Sequence, residues 1–163
     1  MLAPKAPQKI PVLWREFAGL RACMERVFTC DTAFGACKDW APSAGHCLLS
    51  AMVVQELYDG DIRTSSVENV PHYWNRIPYI GGDGELEVDL TADQFGRDPV
   101  LIRRRLKETS LRFSRERGRP LPDKNPDATR LYGRFLDGLL MELDRSGLEL
   151  EAKILRSGFR PVR

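Results

Sequence analysis

No stretch of this 163-residue chain approaches the ~20 consecutive apolar residues of a transmembrane helix, so a membrane-spanning protein is not expected. An export signal is not expected either. Met1 to Trp14 holds three prolines and two lysines and lacks an apolar core segment. Cysteine is sparse, at four residues. Without an export signal, that points to reduced thiols in a cytoplasm rather than a disulfide framework. Internal repeats and domain linkers are missing too, and 42% apolar residues argue against bulk disorder. These absences leave one soluble domain over residues 11–163, preceded by a flexible, Pro-rich tail over 1–10, with enough chain to bury a core.

Charge is unevenly placed. Residues 1–96 hold 8 basic against 13 acidic side chains, and residues 97–163 hold 17 against 10. The excess concentrates between Arg97 and Arg119, where nine basic residues meet three acids. Such a run could meet phosphate backbones. It equally describes a solvated face, or arginines that meet the acidic first part of the same chain. No nucleic-acid motif accompanies it, and Phe95, Phe113 and Tyr132 do not interleave with it at stacking intervals. Nucleic acid is therefore the lesser partner reading.

Apolar periodicity predicts an amphipathic helix over about 11–28, from Leu13, Phe17, Leu20, Met24 and Val27/Phe28. An irregular connection follows from Cys30 to Pro42. Ser43 is the expected N-cap of a second helix, His46 to Tyr58, which is apolar nearly all round and therefore central. Strand-like runs at 72–77 and 85–90 flank Pro78 and Gly81-Gly82-Asp83-Gly84, the punctuation of a hairpin. Ile62 and its neighbours add a short strand. Asp98-Pro99 looks like a helix start, with the helix running from Val100 to about Lys107. Asn125-Pro126 opens a last amphipathic helix that ends near Gly147.

The chain has only two histidines, His46 and His72. Cys47 falls in the first turn of the central helix, where unpaired N–H groups and the positive dipole end favour a thiolate and can receive an oxyanion. A hairpin turn centred between Ile80 and Gly81 sets His72 opposite Asp89, Trp74 opposite Glu87 and Arg76 opposite Glu85. A carboxylate on one imidazole nitrogen fixes the tautomer and leaves the other nitrogen for a thiol. Cys47, His72 and Asp89 thus form a candidate nucleophile, base and orienter. Each has a bland reading alone: a small buried hydrophobe, a structural histidine, an Asp-x-Thr that closes a strand. Cys23, Cys30 and Cys37 fall seven apart and read as buried structural thiols. Their spacing matches no zinc site, and no metal is expected at His46, Cys47, His72 and Asp89 because adjacent His-Cys ligands rarely converge.

His72-x-Trp74 followed by Val88-Asp89-Leu90-Thr91 resembles the His-x-Trp and Val-Asp-x-Thr hairpin of transglutaminase-like proteins in the papain-like superfamily. More narrowly, Gly45-His46-Cys47, His72-Tyr73-Trp74-Asn75 and Glu87-Val88-Asp89-Leu90-Thr91 with Gln94-Phe95 resemble bacterial YunG-like proteins over about Trp40 to Phe95. The resemblance implies an α+β, papain/transglutaminase-like fold: a central cysteine helix on a small antiparallel sheet with flanking helices. It implies thiolester chemistry on an amide or ester, needing no cofactor. One departure is His46, where the family pattern has Gln; a helix-terminal or cleft-rim role is expected for it. Trp40, Trp74 and Asn75 are the further substrate or cleft candidates. The substrate would be a peptide, a protein or a small amide. The rival reading is a binding or regulatory module on the same fold with a degenerate triad, for which the basic run offers a nucleic-acid contact.

Overall fold

The computed structural model describes residues 10–35, 37–58, 60–78, 84–105 and 126–158. Along the chain they form α1 (Ile10–Glu25), α2 (Cys47–Tyr58), β1 (Asp61–Val67), β2 (Val70–Pro78), β3 (Glu85–Asp89), a short 3-10 helix (Ala92–Phe95), β4 (Leu101–Arg105), α3 (Pro126–Arg145) and α4 (Glu149–Gly158). The strands make one antiparallel sheet in the order β1-β2-β3-β4. The architecture is α+β. No helix among the described residues is long and apolar enough to cross a membrane.

Helix α2 is the centre. Its residues from Leu49 to Gln55 are all buried, because it packs on β2 and β1 and also touches α3 and α4. A helix covered by a sheet and by other helices must be apolar all round, which is why its sequence lacks a polar face. Two side-chain bonds fix it to the strands. Asn75 Nδ2 donates to Ala51 O (2.8 Å), and Gln55 Nε2 donates to Gly60 O (3.0 Å). Gly60 sits at φ 87°, and a Cβ there would stand 2.2 Å from the carbonyl oxygen of Arg76. The turn from α2 into the sheet therefore requires glycine.

Several expectations change. Helix α1 ends at Glu25 rather than near Phe28, with the amides of Val27 and Phe28 both turning back to Met24 O (2.9 and 3.0 Å). The segment after Asp98-Pro99 is strand β4, not helix: β3 would otherwise offer an unpaired edge, and pairing Glu85–Asp89 with Arg105–Leu101 satisfies it. Helix α4 was not anticipated. Gly147 (φ 74°) breaks the chain after α3, and Leu148 N donates back to Leu143 O (2.9 Å). Ala152 and Leu155 of α4 then enter the core. Residues 1–9, the hairpin tip at 79–83, Asn125 and residues 106–119 of the basic run lie outside the described residues.

The cysteine expectation is corrected as well. Cys30 and Cys37 form a disulfide, with Cα atoms 5.3 Å apart. Helix α1 has already ended before Cys30, so the seven-residue spacing no longer follows a helical rise and the two cysteines come within bridging distance. Cys23, by contrast, is a buried free thiol facing Glu142 O (3.7 Å) and Ser146 Oγ (3.4 Å) of α3 and the turn after it.

Candidate active site

Cys47 opens α2. The first helical hydrogen bond runs from Ser50 N to His46 O (2.9 Å), which makes His46 the N-cap and leaves the first amides of the helix without intrahelical partners. Ser43, expected as the cap, has a different task. Its hydroxyl donates to the Asp93 carboxylate and its amide approaches the same group (3.4 Å). Asp93 also accepts from both terminal guanidinium nitrogens of buried Arg21 (2.8 and 3.3 Å), and Arg21 donates to Leu90 O (2.6 Å). Burial would raise the Asp93 carboxyl pKa. The Arg21 and Ser43 hydrogen bonds outweigh it and hold the group below its ordinary value. This knot ties α1, the loop before Cys47 and the chain just after Asp89 into one unit. Sequence reasoning missed it: Arg21 and Asp93 are 72 positions apart, and no local pattern links them.

His72 lies in β2 and Asp89 at the end of β3. The ladder pairs Pro78 with Glu85, Ile77 with Leu86, Arg76 with Glu87 and Asn75 with Val88. This is two places from the expected register, in which Ile77 would face Gly84. The observed register sets Ile77 against Leu86, and both are buried. An even shift keeps every side chain on its face. His72 and Asp89 remain neighbours, and His72 Nε2 meets Asp89 Oδ2 at 2.7 Å. Arg76, nearly enclosed, sits between Glu85 (3.2 Å) and Glu87 (3.3 Å).

Asp89 divides its oxygens between two tasks. Oδ2 takes the imidazole, while Oδ1 accepts the Thr91 amide (2.9 Å) and the Thr91 hydroxyl (3.1 Å). Asp89 thus closes the strand through Thr91 and holds the His72 ring with the same carboxylate. Thr91, the last residue of the Val88-Asp89-Leu90-Thr91 motif, is a supporting residue that its sequence position alone does not reveal.

Burial by itself lowers the pKa of His72. The hydrogen bond to Asp89 and the influence of the nearby Cys47 thiol outweigh burial and raise it to about 9. With Nε2 committed to Asp89, Nδ1 is the nitrogen left for the thiol. Nδ1 is buried and has no hydrogen bond among the described residues. The imidazole is also held sideways, with Trp74 stacked on it (centroids 5.9 Å) and Phe95 edge-on (4.8 Å). On the same side opens a cleft of about 310 Å³, lined by His72, Trp74, Asp89, Phe95, Val67 and Leu101, with Glu68 and Arg97 among its charged residues.

The other candidates fall elsewhere. His46 is 1% exposed and does not line that cleft. Its Nδ1–H donates to Ala44 O (3.1 Å), so Nε2 accepts the Thr32 hydroxyl (2.8 Å). The ring lies against Phe28 and Phe135 (4.6 and 5.9 Å). Burial there lowers its pKa to about 4, so it is a neutral structural histidine. Asn75 faces α2 rather than the cleft. Trp40 is 65% exposed, with Lys38 Nζ 5.0 Å over its ring, and does not line the cleft. No cluster of three or more His, Cys, Asp or Glu suited to a metal ion occurs among the described residues.

The site thus belongs to an α+β protein in which a cysteine at a helix start meets a carboxylate-held histidine on the adjoining sheet. The chain belongs to the YunG family, whose model, described as YunG protein, matches residues 16–121. That span runs from α1 through β4 and contains Cys47, His72 and Asp89; α3 and α4 lie beyond it. No curated protein and no solved structure matches the chain.

Proposed function

We propose that this protein is a cysteine-dependent hydrolase or acyltransferase of papain/transglutaminase-like type, acting on an amide or ester. The observation that carries the reading is His72. One ring nitrogen is held by Asp89, and the ring interacts with the thiol at the start of α2. Order along the chain supports it: helix-borne cysteine, then histidine, then aspartate on successive strands.

With the thiol's proton already resting on His72 Nδ1, Cys47 Sγ attacks the substrate carbonyl carbon. The carbonyl π electrons move to oxygen, and the first amides of the helix would donate to that oxyanion. The tetrahedral adduct collapses, the bond to the leaving nitrogen or oxygen breaks, and that atom takes the proton from His72. A thiolester remains on Cys47. Water or another nucleophile then attacks it, gives its proton to His72, and releases Cys47 with the acyl product. Asp89 keeps the imidazole oriented and supports its cationic state throughout. Because the leaving atom must reach His72, the group attached to it extends toward the cleft walled by Trp74 and Phe95.

The test is labelling with an electrophilic acyl probe that forms a stable thiolester or thioether, read by mass spectrometry on the intact protein and its peptides. One adduct per chain on Cys47 is expected, abolished by Cys47→Ala and strongly slowed by His72→Ala. Labelling that survives Cys47→Ala, or that spreads evenly to Cys23, removes the nucleophile assignment.

A further inference from the structure

The disulfide and the candidate nucleophile are parts of one local assembly. Cys30 and Cys37 are both exposed, while Thr32 and the Phe34 amide between them are tied to the segment before α2. Thr32 is buried, and its hydroxyl meets His46 Nε2 at 2.8 Å. Phe34 N donates to Gly45 O at 2.7 Å. Gly45 stands at φ 79°, and a Cβ there would meet Phe34 O at 2.9 Å and Ala33 Cβ at 3.0 Å, so the two segments touch backbone to backbone. The 30–37 loop thus holds Gly45 and His46, the two residues immediately before Cys47. His46 in turn supplies the carbonyl that starts α2 by accepting Ser50 N.

We propose that the Cys30–Cys37 bridge is a redox lock on the start of α2, and so a control on the Cys47 site; as control of catalysis, this rests on the function proposed above. Reduction by a dithiol, small or protein-borne, transfers two electrons and two protons to the bridge. The S–S bond breaks, two thiols form, and the dithiol becomes a disulfide. Exposure of both cysteines gives a thiolate access to either sulfur. Once open, the loop regains the freedom that the bridge removed. Thr32 and Phe34 then hold His46 and Gly45 only intermittently. The N-cap loosens, and the thiol loses its fixed place against His72. The oxidised form is the organised one, and the reduced form is the slack one.

Amide hydrogen exchange tests this in the full chain. Three samples are compared: the oxidised protein, Cys30→Ser/Cys37→Ser, and the native protein reduced with dithiothreitol. The Ser50 amide, which bonds to His46 O, is expected to exchange ~10-fold faster or more without the bridge, because local opening becomes easier. Asn75 and Val88 amides in the sheet should keep their protection, which shows that the fold persists. Thr32→Val leaves the bridge intact but cuts the link to His46 and is expected to release Ser50 in the same way. Thr32→Ser should restore it. Equal Ser50 exchange in the oxidised and bridge-free proteins overturns the lock, and an unaffected Thr32→Val overturns its route. Alkylation of Cys47 at pH 6 separates the two proposals. A slow Cys47 in the oxidised protein removes the enzymatic reading and leaves the exchange result to decide the lock.

Discussion

His72 Nε2 and Asp89 Oδ2 stand 2.7 Å apart although the two residues are not partners in the β2–β3 ladder, which ends at Asn75 and Val88. The imidazole is reached from beyond the last cross-strand pair. Asp89 can do this because Thr91 fixes its other oxygen with an amide and a hydroxyl. The carboxylate is therefore aimed at the imidazole by the end of the strand itself.

Asp89→Asn removes the charge and leaves the shape. The pKa of His72, raised to about 9, should fall well below that value once burial is no longer outweighed. Thr91→Val removes one of the two Thr91 bonds and should give a smaller drop. NMR titration of the His72 ring protons measures both. A value unchanged in Asp89→Asn would assign the elevation to another group.

Cys47 and Cys23 are the two free thiols, and both are buried, so burial does not distinguish them. Only Cys47 has an imidazole partner and a helix N-terminus. Iodoacetamide at pH 6 should modify Cys47 at least ~10 times faster than Cys23. His72→Ala should slow it without abolishing it, because the helix start remains. Peptide mass spectrometry gives both rates; equal rates would contradict the thiol–imidazole arrangement.

The two histidines give stability opposite pH dependences. His46 is held neutral when folded, with its pKa lowered from 6.5 to about 4, so the unfolded chain binds the extra proton first as pH falls. Its contribution is intact above pH 6.5 and declines between 6.5 and 4, by roughly 3 kcal/mol. His72 is held charged, with its pKa raised from 6.5 to about 9. Its contribution is intact below pH 6.5 and declines as pH rises toward 9, by a similar amount. Urea unfolding from pH 4.5 to 9.5 should therefore peak near neutrality. His46→Gln should flatten the acid limb and His72→Gln the alkaline one.

Arg21 and Asp93 form the buried ion pair behind the site. Arg21→Met leaves the Asp93 carboxylate without its main partner and should cost about 3 kcal/mol in chemical unfolding. Asp93→Asn keeps a hydrogen-bonding group for Ser43 and loses only the charge. It still strands the Arg21 cation, so a comparable loss is expected. Adding Asp93→Asn to Arg21→Met should recover part of that stability; strictly additive losses would show that the pair is not coupled.

The sequence carried the elements whose signals are local. The all-round apolar run from Leu48 to Leu57 can only be a covered helix, and the alternation around Leu86, Val88 and Leu90 can only be a strand with one face in the core. It also brought His72 and Asp89 to the same face, since strand parity survives a register error of two. Asp98-Pro99 misled because a helix start and a turn before an edge strand share the same residues. Only the open edge of β3 distinguishes them.

Residue types and chain order were thus enough to pair His72 with Asp89 and to set Cys47 at a helix start. What each flanking residue does was decided in three dimensions. His46 looks like a site residue beside Cys47, yet Thr32, Phe28 and Phe135 enclose it as a neutral prop. Cys30 and Cys37 look like separate thiols until the turn after α1 brings their Cα atoms to 5.3 Å. Arg21 and Asp93 carry no mark of each other at all. Periodicity and capping report what a residue does with its near neighbours along the chain. Ion pairs, bridges and burial depend on partners that only folding brings within reach, so their assignment belongs to the tertiary structure.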